Sequence, residues 1–499
     1  MNVITPPEAL ASPVRALARR PALAELPVAI IGGGPVGLSA AAHLLERGIE
    51  PLILEAGARP AAAVRAWGHV PMFSPWTYNI DRAAQALLER HGWTVPEGGA
   101  HPTGHELTEA YLDPLSQTPE IAARLRLGVR VTGVARVGHG KVRTAGREAQ
   151  PFEIRFIDAA GREGRLFARA VIDASGTWAS PNAAGASGLP AIGEREAASA
   201  GRLRYGMPDV LGAARADYAG KRVLVVGSGH SAAGTLIELA QLQAQASGTR
   251  VLWALRTQEH LTRVYGGGAA DQLAARGAVG TRLRQLVESG AFEIVAPFTA
   301  DTIEQADGAL LVSGESGDEL RKLGVDAVIV ATGLKPDTRI LSELRTDLDP
   351  ALDCPRALAP LIDPNVHSCG TVRPHGAFEL AQPEPGLFLI GMKSYGRAPT
   401  FLLATGHEQA RSVAAYLAGD EDAARRVELE LPETGVCSGP SAEAEEPEAA
   451  SSCCGPAAPR PAAGQTPLAS SCCAPAGPRP ALSEPAIATG CCGAAGARA

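Results

Sequence analysis

Cysteine is missing from most of this 499-residue chain: none precedes Cys354, and seven of the nine lie at Cys437 or beyond. The body therefore has no disulfide framework and no redox dithiol of the CxxxxC or CxxC kind. Basic excess is also missing. Lys and Arg number 46 against 53 Asp and Glu, the net charge is -7 and the pI about 5.9, so no basic face recommends nucleic acid as a partner. No apolar run reaches the length of a membrane span, and Arg19-Arg20 leads into "PALAELP" rather than the apolar core of an export signal. A cytoplasmic protein is expected.

What is present is a globular composition, 45% hydrophobic and 20% charged, in a chain long enough for two or three domains. An arm, 1–26, precedes the first apolar run. The C-terminal end is a tandem repeat, "SSCCGPAAPRPAAGQTPLA" followed by "SSCCAPAGPRPALSEPAIA" and a truncated third copy, with Cys453, Cys472 and Cys491 each opening a Cys-Cys pair at a 19-residue period. The repeat is built from Pro, Gly, Ala and Ser and has no apolar face to stack, so 426–499 is expected to be a disordered tail.

"VAIIGGGPVGLSAAAHLLERGIEPLILEAG" combines an apolar strand with Gly32, Gly34 and Gly37 and a helix whose inward face is Leu38, Ala41, Ala42 and Leu45. A second apolar run ends at Glu55, whose carboxylate suits a ribose hydroxyl. Gly32 permits the turn, Gly34 lets the backbone approach a pyrophosphate, Gly37 lets helix and strand close up, and the helix N-terminus with Pro35 and Val36 faces the phosphates. The pattern returns in "GKRVLVVGSGHSAAGTLIELAQ", with Gly227, Ser228, Gly229, His230 and Ser231 in the turn and Ala232 in the third glycine's place. Here the next strand leads to Arg256, a guanidinium suited to a 2′-phosphate, so NADPH is expected rather than NADH.

Two such folds in one chain resemble the two-dinucleotide-binding-domain flavoproteins, a group containing glutathione-reductase-like enzymes and flavin-containing monooxygenases. The resemblance covers about 26–419. It implies an α/β fold of two Rossmann-like, glutathione-reductase-like domains: an FAD-binding domain from 27–182 and 339–425, and an NADPH-binding domain, 183–338, between them. "AVIDASGT" with Gly176 and "AVIVATGLKPD" with Thr332 and Gly333 look like the crossings between domains. "GLFLIGMKSYG" with Gly391 looks like the last strand, which reaches the flavin. Val131 looks like the valine that touches adenine, and Thr400, Phe401 and Leu402 look like the start of the helix against the flavin ring. Met392 departs from the Gly-Asp that ends this strand in many disulfide reductases.

Without a dithiol, NADPH-reduced FAD must pass electrons to dioxygen or to a small acceptor, and monooxygenation is the leading expectation. The linker "YGMPDVLGAARADYAGKRVLVVGSG" resembles the fingerprint of flavin-containing monooxygenases, with Val210 standing near the usual histidine. Adjacent cysteines form a strained disulfide but ligate soft ions, so Cys453, Cys454, Cys472, Cys473, Cys491 and Cys492 are candidate ligands for a thiophilic metal or metalloid. With this tail, the chain most resembles flavin monooxygenase-like proteins of bacterial arsenic-resistance operons, which implies a small soft nucleophile as substrate, with trivalent arsenicals the named candidate. Trp67, Trp76 and Asn79 are flavin-floor candidates, core packing being the alternative for the tryptophans. Arg373 and His375, with Cys369, lie on a Gly- and Pro-rich loop that either faces substrate or is simply solvated. Two rival readings remain: a metalloid-binding or redox-sensing flavoprotein with little turnover, and a flavin reductase using tail thiols.

Overall fold

A computed structural model describes residues 22–266, 273–306, 308–366, 375–399 and 401–429. Arg373, Thr400, Cys369 and every paired cysteine of 430–499 lie outside the described residues, as do the expected disorder of the tail and most of the arm.

Two five-stranded parallel sheets organise the chain. Val28–Ile31 is central in the first, flanked by Pro51–Leu54 and Leu125–Arg126 on one side and by Ala170–Asp173 and Leu387–Leu389 on the other. Arg222–Val226 is central in the second, flanked by Arg250–Ala254 and Glu293–Val295 on one side and by Ala327–Val330 and Leu203–Tyr205 on the other. Val28, Ala29 and Ile30 are fully buried, as a parallel strand covered on both faces requires. Both sheets also carry an antiparallel three-stranded meander, Arg130–Arg136 to Glu163–Ala168 in one and Thr299–Ala306 to Glu319–Val325 in the other. Each meander immediately precedes the strand that leads out of its domain.

The two crossings lie side by side. Asn182 donates its N–H to Gly333 O at 2.9 Å and its side-chain amide to Thr332 O at 3.2 Å, while Thr332 Oγ1 donates to Asn182 O at 3.0 Å. Lys335 N donates to Ser180 O at 2.9 Å, completing a short ribbon with the Pro181–Leu334 bridge. The chain stays tied to the body past the boundary expected at 425: Glu428 pairs with Arg82 at 2.8 Å and donates its N–H to Glu408 at 3.1 Å. Among the described residues, no helix is long and apolar enough to cross a membrane.

Behind the first glycine turn, the helix Pro35–Glu46 packs with Leu403–Leu417 around a buried polar group. His43 Nε2 meets Asp81 Oδ2 at 2.9 Å, and Asp81 Oδ1 accepts the Ala84 N–H that begins the helix Arg82–Glu89. Burial alone would push the His43 imidazolium down, but the charge and hydrogen bond of Asp81, with Glu46, hold it up at about 9. Burial likewise opposes ionisation of Asp81, yet His43 keeps that carboxyl well below the usual range. Burial carries His407 down to about 4, with Asp81 opposing and His43 reinforcing. The signs follow from linkage. A raised histidine gives its stability below about 6.5 and loses it as pH climbs through 9, whereas a depressed one gives it above about 6.5 and loses it as pH falls through 4. Thermal unfolding should therefore peak near pH 6.5, and His407→Leu should flatten the acid limb more than the alkaline one.

Candidate functional site

The first turn is shaped by close approach. Gly32 has φ +105°, and a Cβ there would come within 2.7 Å of Ala174 O; a Cβ on Gly37 would meet Gly32 O at 2.0 Å. A Cβ on Gly34 would meet nothing within 4 Å, so space lies in front of the turn. Pro35 opens the helix Pro35–Glu46 with no side chain capping it, and its first-turn N–H groups are available to an anion. The turn and helix fit the pyrophosphate of FAD. The sequence position of Glu55 did not reveal what the structure shows: it accepts N–H bonds from Gly33 and Gly57, both at 2.7 Å, and so fastens the turn to the end of Pro51–Leu54. The segment leading to Val131 runs alongside, with Val129 N donating to Glu55 O at 2.8 Å. Val131 itself is half-buried among apolar residues.

The second turn repeats this geometry. Gly227 has φ +133° and a Cβ there would lie 2.3 Å from Ala331 O, while a Cβ on Gly229 would meet nothing within 4 Å. The helix His230–Gln245 follows, uncapped by any side chain. Its turn is held from the neighbouring strand by Trp253, whose indole N–H donates to Gly227 O at 2.8 Å. Ser228 and Ser231 are half-buried, and His230 is exposed with its ring against Phe73. Arg256 is exposed just past Arg250–Ala254. Its neighbourhood is cationic: burial, then Arg256 and Arg263, lower the His260 imidazole, whose Nδ1 lies 2.6 Å from Thr257 Oγ1. Such a cluster fits the 2′-phosphate of NADPH. Thr332 and Gly333 are engaged with Asn182 in the ribbon between the domains. Gly176, at φ +67°, lies on the first crossing, and a Cβ there would meet nothing within 4 Å.

The final strand and helix close on the first turn. Gly391 has φ +69°, and Cβ atoms on Gly391 and Gly406 would stand 3.3 and 2.6 Å from Val36 Cγ2. Gly391 N donates to Gln409 Oε1 at 2.7 Å, which leaves the Gln409 amide nitrogen to donate to Ser394 Oγ at 2.9 Å and to His375 Nε2 at 2.8 Å. His375 Nε2 is therefore the acceptor and its proton sits on Nδ1. Only 4% exposed, His375 is not a residue of a solvated loop. The Tyr395 ring packs between His375, tilted at 5.6 Å, and Phe401, edge-on at 5.2 Å, and Leu402 leads into the helix Leu403–Leu417. Lys393, fully buried beside this turn, pairs with Asp173 at 2.6 Å and donates to Ser175 Oγ at 2.9 Å. Gln409, Ser394, Lys393 and Trp253 were absent from the residues expected from sequence.

The other candidates take structural places. Trp76 is buried in the core of the first domain, and Trp67 packs half-buried against it. Asn79 is fully buried with both ends of its amide used by Ser74, at 2.7 Å each. Cys354 is buried, and burial, with nearby Asp349, pushes its thiol up to about 12, which keeps it from acting as a thiolate. Among the described residues, no group of three or more His, Cys, Asp or Glu is arranged to hold a metal ion.

A family model described as pyridine nucleotide-disulphide oxidoreductase matches residues 29–354. The chain belongs to that family. This oxidoreductase shares its fold with a bacillithiol disulfide reductase from Bacillus cereus, 18% identical, over 79% of this chain and 99% of the other, with a TM-score of 0.57. An ornithine N-hydroxylase from Kutzneria sp. 744 is 14% identical over 80% of this chain and 99% of the other, with a TM-score of 0.52. A flavin-dependent halogenase from Armillaria mellea is 33% identical over 97 residues, 19% of this chain and 18% of that relative's length.

Proposed function

We propose that the chain is an NADPH-dependent, FAD-containing monooxygenase acting on a small soft nucleophile, with trivalent arsenicals the favoured class. One observation carries the reading: two open glycine turns of matching geometry stand in a body whose single described thiol, Cys354, is buried and inert. FAD belongs at the Gly32–Gly37 turn and NADPH at the Gly227–Ala232 turn. When bound, they supply hydride transfer and the activation of dioxygen. The ornithine N-hydroxylase that shares the fold was solved with reduced FAD, NADP+ and L-ornithine, a cofactor pair of the same kind.

The chain's own groups bind, orient and exclude water. Residues 27–182 and 339–425 form the flavin domain and 183–338 the pyridine-nucleotide domain. Phe401 and Leu402, both half-buried, are assigned to the flavin side with the fully buried Tyr395 packed behind Phe401, while Gln409 holds His375 as the Nδ1–H tautomer and binds the N–H of Gly391. Arg373 and Thr400, which lie outside the described residues, are assigned to the flavin side on the sequence resemblance alone. Arg256 reads the 2′-phosphate. Arg256→Ala should raise the KM for NADPH roughly ten-fold or more, because a charge-assisted contact of about 1.5 to 3 kcal/mol is lost, and leave NADH nearly unaffected. Equal effects on the two coenzymes would remove Arg256 from this role.

The paired cysteines of the tail are assigned to capture of a thiophilic metalloid. Truncation after Leu431 should leave FAD content and NADPH-driven flavin reduction unchanged while lowering metalloid stoichiometry, measured by equilibrium dialysis with arsenite. The decisive experiment for the function is NADPH consumption with arsenite, methylated arsenicals, sulfides and amines, set against hydrogen peroxide released. Consumption stimulated by a trivalent arsenical with little peroxide is expected; peroxide equal to NADPH consumed with every compound would overturn the monooxygenase reading.

A further inference from the structure

The strand Ala170–Asp173 of the first sheet ends on a group of three polar side chains that the cofactor assignments leave without a task. Asp173 is fully buried, and Lys393, from the turn after the last strand, is 1% exposed. Their charges meet at 2.6 Å between Lys393 Nζ and Asp173 Oδ2. Ser175 joins them from the first crossing and is itself exposed. Its hydroxyl donates to Asp173 Oδ1 at 2.6 Å and accepts from Lys393 Nζ at 2.9 Å, while its backbone N–H also donates to Asp173 Oδ1, at 3.1 Å.

Both chain segments press on the first glycine turn. A Cβ on Gly32 would come 2.9 Å from Ser175 Cα, and one on Gly391, two residues before Lys393, would stand 3.3 Å from Val36 Cγ2. Beyond Ser175 the surroundings open: Gly176 has φ +67°, and a Cβ there would meet nothing within 4 Å, as at Gly34. The exposed member of the group therefore borders the turn on one side and open space on the other.

Stability alone does not account for the ion pair. A buried ammonium and carboxylate lose their hydration, and an apolar pair of similar size would hold the fold at least as well. The pair frees Ser175 instead. When the hydroxyl rotates away from Asp173, Oδ1 keeps the Ser175 N–H and Oδ2 keeps the ammonium, so no buried charge is stranded. Lys393 still occupies one lone pair of Ser175 Oγ, and a hydroxyl that accepts from a cation donates its own proton more strongly. The group thus offers one O–H donor, backed by a positive charge, beside a turn whose N–H groups suit a pyrophosphate.

We infer that Ser175 donates its hydroxyl to the pyrophosphate held at the first turn, and that Lys393, paired with Asp173, is the positioning residue that makes this hydroxyl available. Both roles rest on the placement of FAD proposed above. Lys393 does not touch the cofactor; it acts through Ser175.

The test follows release of FAD from the full-length holoprotein, read as the rise of free-flavin fluorescence, together with thermal unfolding of each apoprotein. Ser175→Ala should release FAD about ten-fold faster or more, while its apoprotein melts within a few degrees of the wild-type apoprotein. Ser175→Thr keeps the hydroxyl and should release FAD at the wild-type rate. Lys393→Met strands the buried Asp173 and should lose both stability and flavin. Asp173→Asn combined with Lys393→Met leaves no buried charge and separates the two roles: melting should return toward the wild type while FAD release stays about ten-fold fast. A double variant that recovers both melting and flavin retention makes the pair structural only and overturns the role of Lys393. Wild-type release from Ser175→Ala overturns the role of Ser175, and Gly34→Val then shows which claim has failed. Flavin lost from Gly34→Val leaves the placement of FAD standing, whereas flavin retained there overturns the placement as well.

Discussion

Gly34→Val is expected to leave a folded body that no longer retains FAD. At most turn glycines a side chain would collide with the protein itself: a Cβ on Gly37 would lie 2.0 Å from Gly32 O and one on Gly32 would lie 2.7 Å from Ala174 O. Gly34 differs, because a Cβ there meets nothing within 4 Å and its φ of -83° is open to any residue. The volume that valine fills is the volume a pyrophosphate needs for backbone contact. FAD content of the purified variant should fall at least ten-fold, while the apoprotein melts within a few degrees of the wild-type apoprotein. Gly37→Ala should lose both fold and flavin. A fully yellow Gly34→Val protein would show that the dinucleotide lies elsewhere. Gly229→Val makes the same separation at the second turn, where NADP+ affinity should fall and FAD content stay constant.

The largest loss of stability is expected from Glu384→Gln. Glu384 is completely buried and its carboxylate accepts from Arg136 Nε at 2.8 Å, from Arg147 Nη2 at 2.7 Å and from Arg345 N at 3.2 Å. The guanidiniums are themselves engaged: Arg147 Nη1 donates to Gly140 O at 2.9 Å, and Arg136 lies 3.7 Å over the Phe152 ring. Burial alone would push the carboxyl up, but the two arginines hold it below its ordinary range. Neutralising it strands two buried cations, at a loss of about 3 to 5 kcal/mol. Chemical denaturation should show this as an earlier midpoint. Replacing Glu384, Arg136 and Arg147 together with apolar residues should cost less than the single change, because no charge is then left unpaired. A loss below about 1 kcal/mol for Glu384→Gln would mean that water reaches the site.

These two sites also show what could be read from sequence and what could not. The glycine turns were legible because strand, turn and helix lie within a few residues of one another and each glycine has a local reason. The positions of Glu55 and Arg256, each just past the second strand of its fold, were legible for the same reason. Pairings over long separations were not: Lys393 with Ser175, Gln409 with His375 and Arg136 with Glu384 are 218, 34 and 248 residues apart. No local pattern marks a lysine or a glutamine as buried. Trp253 was hidden in an apolar strand, where its indole N–H gave no sign that it would hold Gly227. Asn79 and Trp76 were drawn toward the flavin by their residue types, yet one is locked by Ser74 and the other lies in the core. The two antiparallel meanders went unread because their alternation is broken by exposed turns.

The first sheet receives its outer strand, Leu387–Leu389, only after the whole of the second sheet has passed in sequence. A nascent chain extended to Val330 holds all five strands of the second sheet but four of the first, and lacks the helix Leu403–Leu417 that closes on Val36. Domains fold as units and N-terminal segments emerge first during synthesis, so on the ribosome the later-encoded domain is complete before the earlier-encoded one. The first domain must wait for its outer strand and the helix that closes on its glycine turn until more than two hundred residues have been added beyond its own fourth strand. On the proposed placement of FAD at the first turn, its loading is expected late in the protein's biogenesis, and a translation product ending before the helix Leu403–Leu417 is expected to be an apoprotein.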